Sequence, residues 1–207
     1  MRYHPWCSWK EQSFVTFATV AKRKAQQYKE TLTGVRWEDN TYTTVTSMGG
    51  KDREPVAFLI GNHQFYIPPD GERLRQETML VQARALPCTV IRKLTEENGV
   101  FVDATVWVSG ECPFPLKIVC KASGEEEYES VLTAVVLDES IEICGRTASC
   151  VRLEGLDTAE SGTAVITQWL SKDVPGATVG SRMIVTKWGD VEEYALDAID
   201  FGGSAQE

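Results

Sequence analysis

The sequence predicts a mainly β protein: a curved antiparallel sheet or half-barrel with an internal duplication. Three observations lead there. Runs rich in Val, Ile, Thr and aromatic residues alternate with polar ones at period two, Gly, Asn and Asp pairs punctuate those runs, and a stretch of chain recurs after 62 residues. No segment reads as a sustained amphipathic helix.

From the opening run, Trp6 to Val20, onward, Phe14, Phe17, Ala21, Ala25, Tyr28 and Leu32 fall near helical spacing, but the β-branched Val15, Thr16, Thr19 and Val20 favour a strand. A hairpin tip at Ala21-Lys22-Arg23-Lys24 then leads to strands over about Gln26 to Trp37 and Thr41 to Ser47. Asp39-Asn40 and Gly49-Gly50 tolerate the left-handed conformation that tight hairpins require, so the first segment is a meander. From Gly50 to Arg75, Pro55, Pro68 and Pro69 interrupt the short apolar runs Val56 to Ile60 and Phe65 to Ile67. Proline cannot donate to a ladder, so these are edge strands or a covering loop.

The repeat starts at Glu77. Adding 62 to each number takes Glu77 to Glu139, Arg84 to Arg146, Cys88 to Cys150, Leu94 to Leu156, Thr105 to Thr167, Trp107 to Trp169, Ser109 to Ser171 and Pro113 to Pro175, all identical and without a gap. Each copy reads as about five strands, with a hairpin at Asn98-Gly99 or Ser161-Gly162, a tryptophan strand, a break at proline and a closing acid-tyrosine strand. The expected organisation is therefore an amino-terminal meander and joint over 1–76, repeat units over 77–138 and 139–201 in one continuous fold, and a disordered tail over 202–207.

A formal net charge of −9 argues against a phosphate-backbone partner, which needs a clustered positive surface. Two histidines, His4 and His63, are too few for a histidine triad or multi-histidine metal site. No phosphate loop, dinucleotide fingerprint or nucleophile elbow is present, so no cofactor, no metal and no catalytic residue is expected. No stretch approaches the roughly 20 apolar residues of a spanning helix. Cys7, Cys88, Cys112, Cys120, Cys144 and Cys150 lack zinc-knuckle spacing; they read as free buried thiols or, alternatively, as including a disulfide between Cys144 and Cys150 across a short hairpin.

In the first tryptophan strand, Val102, Ala104, Val106 and Val108 share one face, and Phe101, Asp103, Thr105 and Trp107 the other. Bulky apolar groups on both faces mean that the strand is covered twice or that one face lines a cavity. Phe101, Asp103, Trp107, Val165 and Trp169 are accordingly the candidate ligand-lining residues; Asp103, a titratable group inside an apolar strand, reads either as a functional acid or, preferably, as a satisfied or edge-exposed aspartate. The competing reading is that both tryptophans are core anchors.

The pattern Gly/Ala-Arg-x-x-x-Cys followed by Trp-x-Ser-x-Asp/Glu-x-Pro, with Gln168-Trp169-Leu170-Ser171-Lys172-Asp173-Val174-Pro175-Gly176 as its fullest form, resembles bacterial envelope β-proteins. Those are similar to the lipoprotein-carrier half-barrels of the LolA and LppX type. The resemblance covers about Glu77 to Phe201 and implies a non-catalytic module that takes a lipid, acyl chain or other hydrophobic ligand on a concave sheet face. The alternative is a structural or protein-interaction β-module with a filled core. Met1 to Trp6 carry no apolar leader core, so the expected location is the cytoplasm for the chain as written, or the envelope or periplasm if a leader has been removed.

Overall fold

A computed structural model describes residues 5–21, 24–38, 41–59, 71–97 and 100–204. His4, His63, the tip pair Lys22-Arg23, Asp39-Asn40, Asn98-Gly99 and the run Phe65 to Ile67 lie outside the described residues. The strands are β1 (Phe14–Ala21), β2 (Lys24–Arg36), β3 (Thr41–Met48), β4 (Lys51–Asp52), β5 (Val56–Leu59), β6 (Glu72–Val81), β7 (Arg84–Glu97), β8 (Val100–Ser109), β9 (Cys112–Ala122), β10 (Tyr128–Ile143), β11 (Arg146–Ala159), β12 (Gly162–Leu170), β13 (Thr178–Lys187) and β14 (Asp190–Gly202). All belong to one antiparallel sheet, open and curved, ordered β4-β3-β2-β1-β14-β13-β12-β11-β10-β9-β8-β7-β6, with β5 also on β3. Among the described residues there is no α-helix.

Local chemistry explains most of the hairpins. Gly49-Gly50, Gln82-Ala83, Cys144-Gly145 and Trp188-Gly189 each place two residues at positive φ, the backbone twist that joins right-twisted strands through a two-residue turn. Pro5 and Trp6 are not strand: Pro5–Ser8 is a single 3-10 turn, and the strand expected from Trp6 begins only at Phe14. Pro5 fixes φ and lacks an N–H, and Gln12 at φ 69 turns the chain so that its N–H donates to Leu32 O at 2.8 Å.

β7 and β11 start at Arg84 and Arg146, the sequence spacing of 62, and Cys88 and Cys150 are both buried opposite Glu77 and Glu139. The sheet does not divide at the expected boundaries, since 76/77, 138/139 and 201/202 fall inside β6, β10 and β14. Gly202 ends β14 opposite Phe14, and Ser204 O accepts from Lys10 N–H at 2.9 Å, so the first residues of the expected disordered tail are held against the sheet; residues 205–207 lie outside the described residues.

Two joints curve the sheet. β10 carries irregularities at Leu132/Ala134 and Val136/Glu139, and such bulges bend a strand and raise its twist. At the first of them Thr133 O accepts from Gln82 N–H at 3.3 Å, which brings the tip of the β6-β7 hairpin back onto β10. The second joint pairs β1 with β14, tying the two ends of the chain into one ladder. One core gathers Cys88, Val90, Trp107, Leu116, Leu153 and Leu170; the other gathers Trp6, Val15, Phe17, Leu32, Cys150 and Val174.

The second core holds a titratable group. Glu30 accepts from Thr44 Oγ1 at 3.1 Å, but burial outweighs that bond and raises the carboxyl above its ordinary range. Between the ordinary and raised values the native state binds more protons than the unfolded chain, so stability falls as pH rises through that window and stays lowered above it. Glu30→Gln should therefore remove this slope and give the higher urea midpoint at pH 8, with the advantage shrinking toward pH 4. An unchanged slope in urea titrations over that range would contradict this account.

Candidate functional site

The site is built at the ends of β10 to β14 farthest from the Cys144-Gly145 turn. Register sets Ser130, Asp157, Ala164, Val185 and Glu192 side by side across five strands, and Met183 beside Tyr194 two positions along. Residues paired across strands, and those two apart along one, share a face, so these side chains all point to one side of the sheet. All of them but Ser130 border a half-open cavity of about 710 Å³, within the ~300–1,000 Å³ typical of small-molecule sites.

Its floor is aliphatic, made by Ala159, Ala164, Met183 and Val185. Tyr128, Tyr194 and Trp188 supply aromatic surface. Trp188 is 87% exposed and sits at φ 52 in its hairpin turn, a conformation that a bulky residue rarely adopts. Neither packing nor backbone preference accounts for an indole there.

Acids ring these surfaces. Glu126 accepts from Ser161 N–H at 2.9 Å and from Ser161 Oγ at 2.5 Å, and these bonds hold its carboxyl below the ordinary range. The Tyr194 hydroxyl donates to Glu192. Burial, followed by the hydrogen bond and charge of Asp157, pushes the Tyr128 phenol up to about 12, so it remains a neutral donor. Asp190 completes the set, and Lys187 is the cation in the lining. Among the described residues, no group of three or more His, Cys, Asp or Glu side chains is gathered for a metal ion.

The five residues expected to line a ligand fall on the other face. Pairing runs from Trp107 through Lys117, Val131 and Leu156 to Val165, which places Phe101, Asp103, Trp107, Val165 and Trp169 on a common side, and none of them borders this cavity. Phe101 and Val165 are 60% and 54% exposed, and Val165 continues an exposed apolar row with Leu156 and Ile184. Trp107 is core, only 8% exposed; its indole N–H donates to Glu77, and the Lys117 ammonium lies 5.1 Å from the ring centroid. Trp169 packs against the second core, with the Arg182 guanidinium 5.9 Å from its ring. Asp103 accepts from Arg92 Nε at 2.8 Å, and this bond holds its carboxyl below the ordinary range. The apolar strand does not bury this aspartate; it pairs it across the strand.

The Cys144 and Cys150 thiols are both free. Cys144 occupies the turn, whereas Cys150 pairs with Glu139 further along the ladder; at about 3.3 Å per residue the two are too far apart for the Cβ separation that a disulfide demands. Burial raises the thiols of Cys7, Cys88, Cys112, Cys120 and Cys150, that of Cys7 to about 11, whereas Cys144 is exposed. Native protein should therefore take up one equivalent of a thiol reagent quickly, at Cys144, with the rest reacting in urea. Peptide mapping that found Cys150 labelled first would overturn this assignment.

Two signals in the sequence pointed toward the cavity. The acid-tyrosine pairs that close the repeat units, Glu126-Glu127-Tyr128 and Glu192-Glu193-Tyr194, place both tyrosines in it, and Trp188-Gly189 puts the exposed indole on a turn. No family model and no curated protein matches the chain. Among solved structures, MucB in the crystal structure of its complex with MucA(peri) is similar over 89% of this chain and 86% of that chain, at 10% identity and a TM-score of 0.20.

Proposed function

We propose that the protein is a non-catalytic binding module that accepts a hydrophobic ligand in the cavity between the ends of β10 and β14. The observation that carries this reading is the aliphatic floor of Ala159, Ala164, Met183 and Val185, left uncovered beside aromatic walls. Such a surface gains about 25 cal/mol for each Å² of apolar area that a ligand removes from water. A non-catalytic role is consistent with the engagement of Glu126, Asp157 and Glu192 by serine and tyrosine donors. The test is native mass spectrometry of the purified protein, with and without a ten-carbon alcohol, supported by displacement of a fluorescent apolar probe. A saturable one-to-one adduct is expected. Its absence, together with an unshifted melting temperature, would remove the proposal.

A second reading, a protein-interaction module, rests on the exposed row Leu156, Val165 and Ile184 on the opposite face, since contiguous exposed apolar surface marks association sites. It predicts a protein partner that Val165→Glu loses and that filling the cavity leaves bound.

A further inference from the structure

We infer that two copies of this chain pair edge to edge through β6, running antiparallel about a two-fold axis at Gln76. This surface is separate from the cavity, since β9, β8 and β7 lie between β10 and β6 in the strand order.

β6 ends that order, and among the described residues no strand pairs with its outer side. Glu72 to Gln76, Thr78 and Leu80 are exposed, Leu80 by 71%. A long edge strand in solvent presents a row of main-chain N–H and C=O groups ready to pair with another chain. The opposite edge is made by β4 and β5, of two and four residues, and offers few such groups. Pro87 shows which groups of β6 point outward. Thr78 sits opposite Pro87 on β7, and proline has no N–H to exchange, so these two form a non-hydrogen-bonded pair. The two kinds of pair alternate along an antiparallel ladder. Gln76, Thr78 and Leu80 therefore turn their N–H and C=O away from β7.

Charge then selects the register. An axis at Leu74 sets Arg73 opposite the partner's Arg75, and axes at Arg75 or Glu77 set each of those residues opposite its own copy. Like charges directly opposite destabilise a ladder. An axis at Thr78 carries the partner's Arg75 to Val81, which is 5% exposed and held beside β10 by the Gln82 N–H bond to Thr133 O. An axis at Gln76 instead sets Arg75 opposite the partner's Glu77 and Glu77 opposite the partner's Arg75, a self-complementary contact. Within one chain Arg75 Nε donates to Glu77 Oε2 at 3.0 Å, which leaves its terminal amino groups to donate across the axis. Main-chain bonds supply the affinity and the paired charges the register. The irregularity between Arg73 and Arg75 bends the strand, so the ladder is short and the dimer weak.

The test is sedimentation velocity of the full chain across micromolar concentrations, at low and at physiological salt. A reversible dimer with a micromolar dissociation constant is expected, weakening as the Debye length falls from about 30 Å to about 8 Å. Thr78→Pro removes an outward N–H that β7 does not use; with one such bond lost on each side of the axis, the constant should rise about tenfold. That variant should keep the parent melting temperature and its affinity for decanol. Arg75→Glu should also raise the constant about tenfold and reverse the salt dependence, because like charges then face each other, and it carries the same reading if Thr78→Pro fails to fold. Gln76→Cys in a Cys144→Ser background should cross-link with diamide about tenfold faster than Leu80→Cys, since residues paired on the axis lie about 5.5 Å apart in Cα, within the span of a disulfide. A monomer at every concentration, a dimer that folded Thr78→Pro and Arg75→Glu both retain, or faster cross-linking at Leu80 would each overturn the pairing.

Discussion

Trp6→Ala is expected to cost about 3–5 kcal/mol of folding stability, the range for removing a buried aromatic. Since single domains are stable by about 5–15 kcal/mol, that is about a fifth of the total or more. Trp6 is 3% exposed in the core that also holds Val15, Phe17, Leu32, Ile143 and Val174. Its ring lies over Gly176, where an added Cβ would come 2.8 Å from indole Nε1 and Cε2. Gly176 is also at φ +73, so Gly176→Ala strains the backbone and displaces the ring together. The two changes act on one contact, and their effects should sum to more than the double variant loses. The measurement is the urea midpoint at unchanged slope. Trp188→Ala is the control, expected within about 0.5 kcal/mol of the parent because its ring is in solvent. A Trp6→Ala midpoint as close to the parent as that would mean that the 3-10 turn does not plug the core.

Ala164→Trp is expected to eliminate apolar ligand binding, at least tenfold in affinity, while the protein stays folded. Ala164 lies inside the row Asp157, Ala164, Val185 and Glu192 and is only partly buried, since the cavity opens above it. An indole there occupies space now open, without overpacking a closed core. Retained secondary structure by far-ultraviolet circular dichroism, with loss of the decanol adduct, is the expected pair of results. Val165→Trp, one residue away on the other face, should leave that adduct intact. The contrast depends on strand geometry alone, because adjacent residues on a strand point to opposite sides.

Legibility in the sequence differed sharply between local and distant features. Alternation and β-branching were sufficient for β1 to β3, and Gly49-Gly50 marks its turn because few residues accept positive φ. Gln82-Ala83 makes the same kind of turn with residues that give no such sign. Tertiary packing imposes that conformation, through the Gln82 N–H bond to Thr133 O. Asp103 shows how far the sequence reached. A satisfied or edge-exposed aspartate was legible, but its partner was not, since Arg92 reaches across to it from β7. Likewise Phe101 and Val165 were correctly grouped with the tryptophans by parity, but parity cannot tell which face of a sheet the rest of the chain covers.

What the sequence by itself determined is therefore the list of strands, most of their turns and the grouping of side chains by face, all set by interactions within a few residues. Only the tertiary structure decided that β1 closes onto β14, that β10 bends at its bulges, and that the open cavity lies on the side of Tyr128, Ala164 and Tyr194 rather than that of Trp107 and Trp169. The physical reason is that curvature is a property of the whole ladder. Each strand adds a small twist, bulges on β10 and other strands concentrate it, and the face left uncovered emerges from pairings between residues as distant as Phe14 and Gly202.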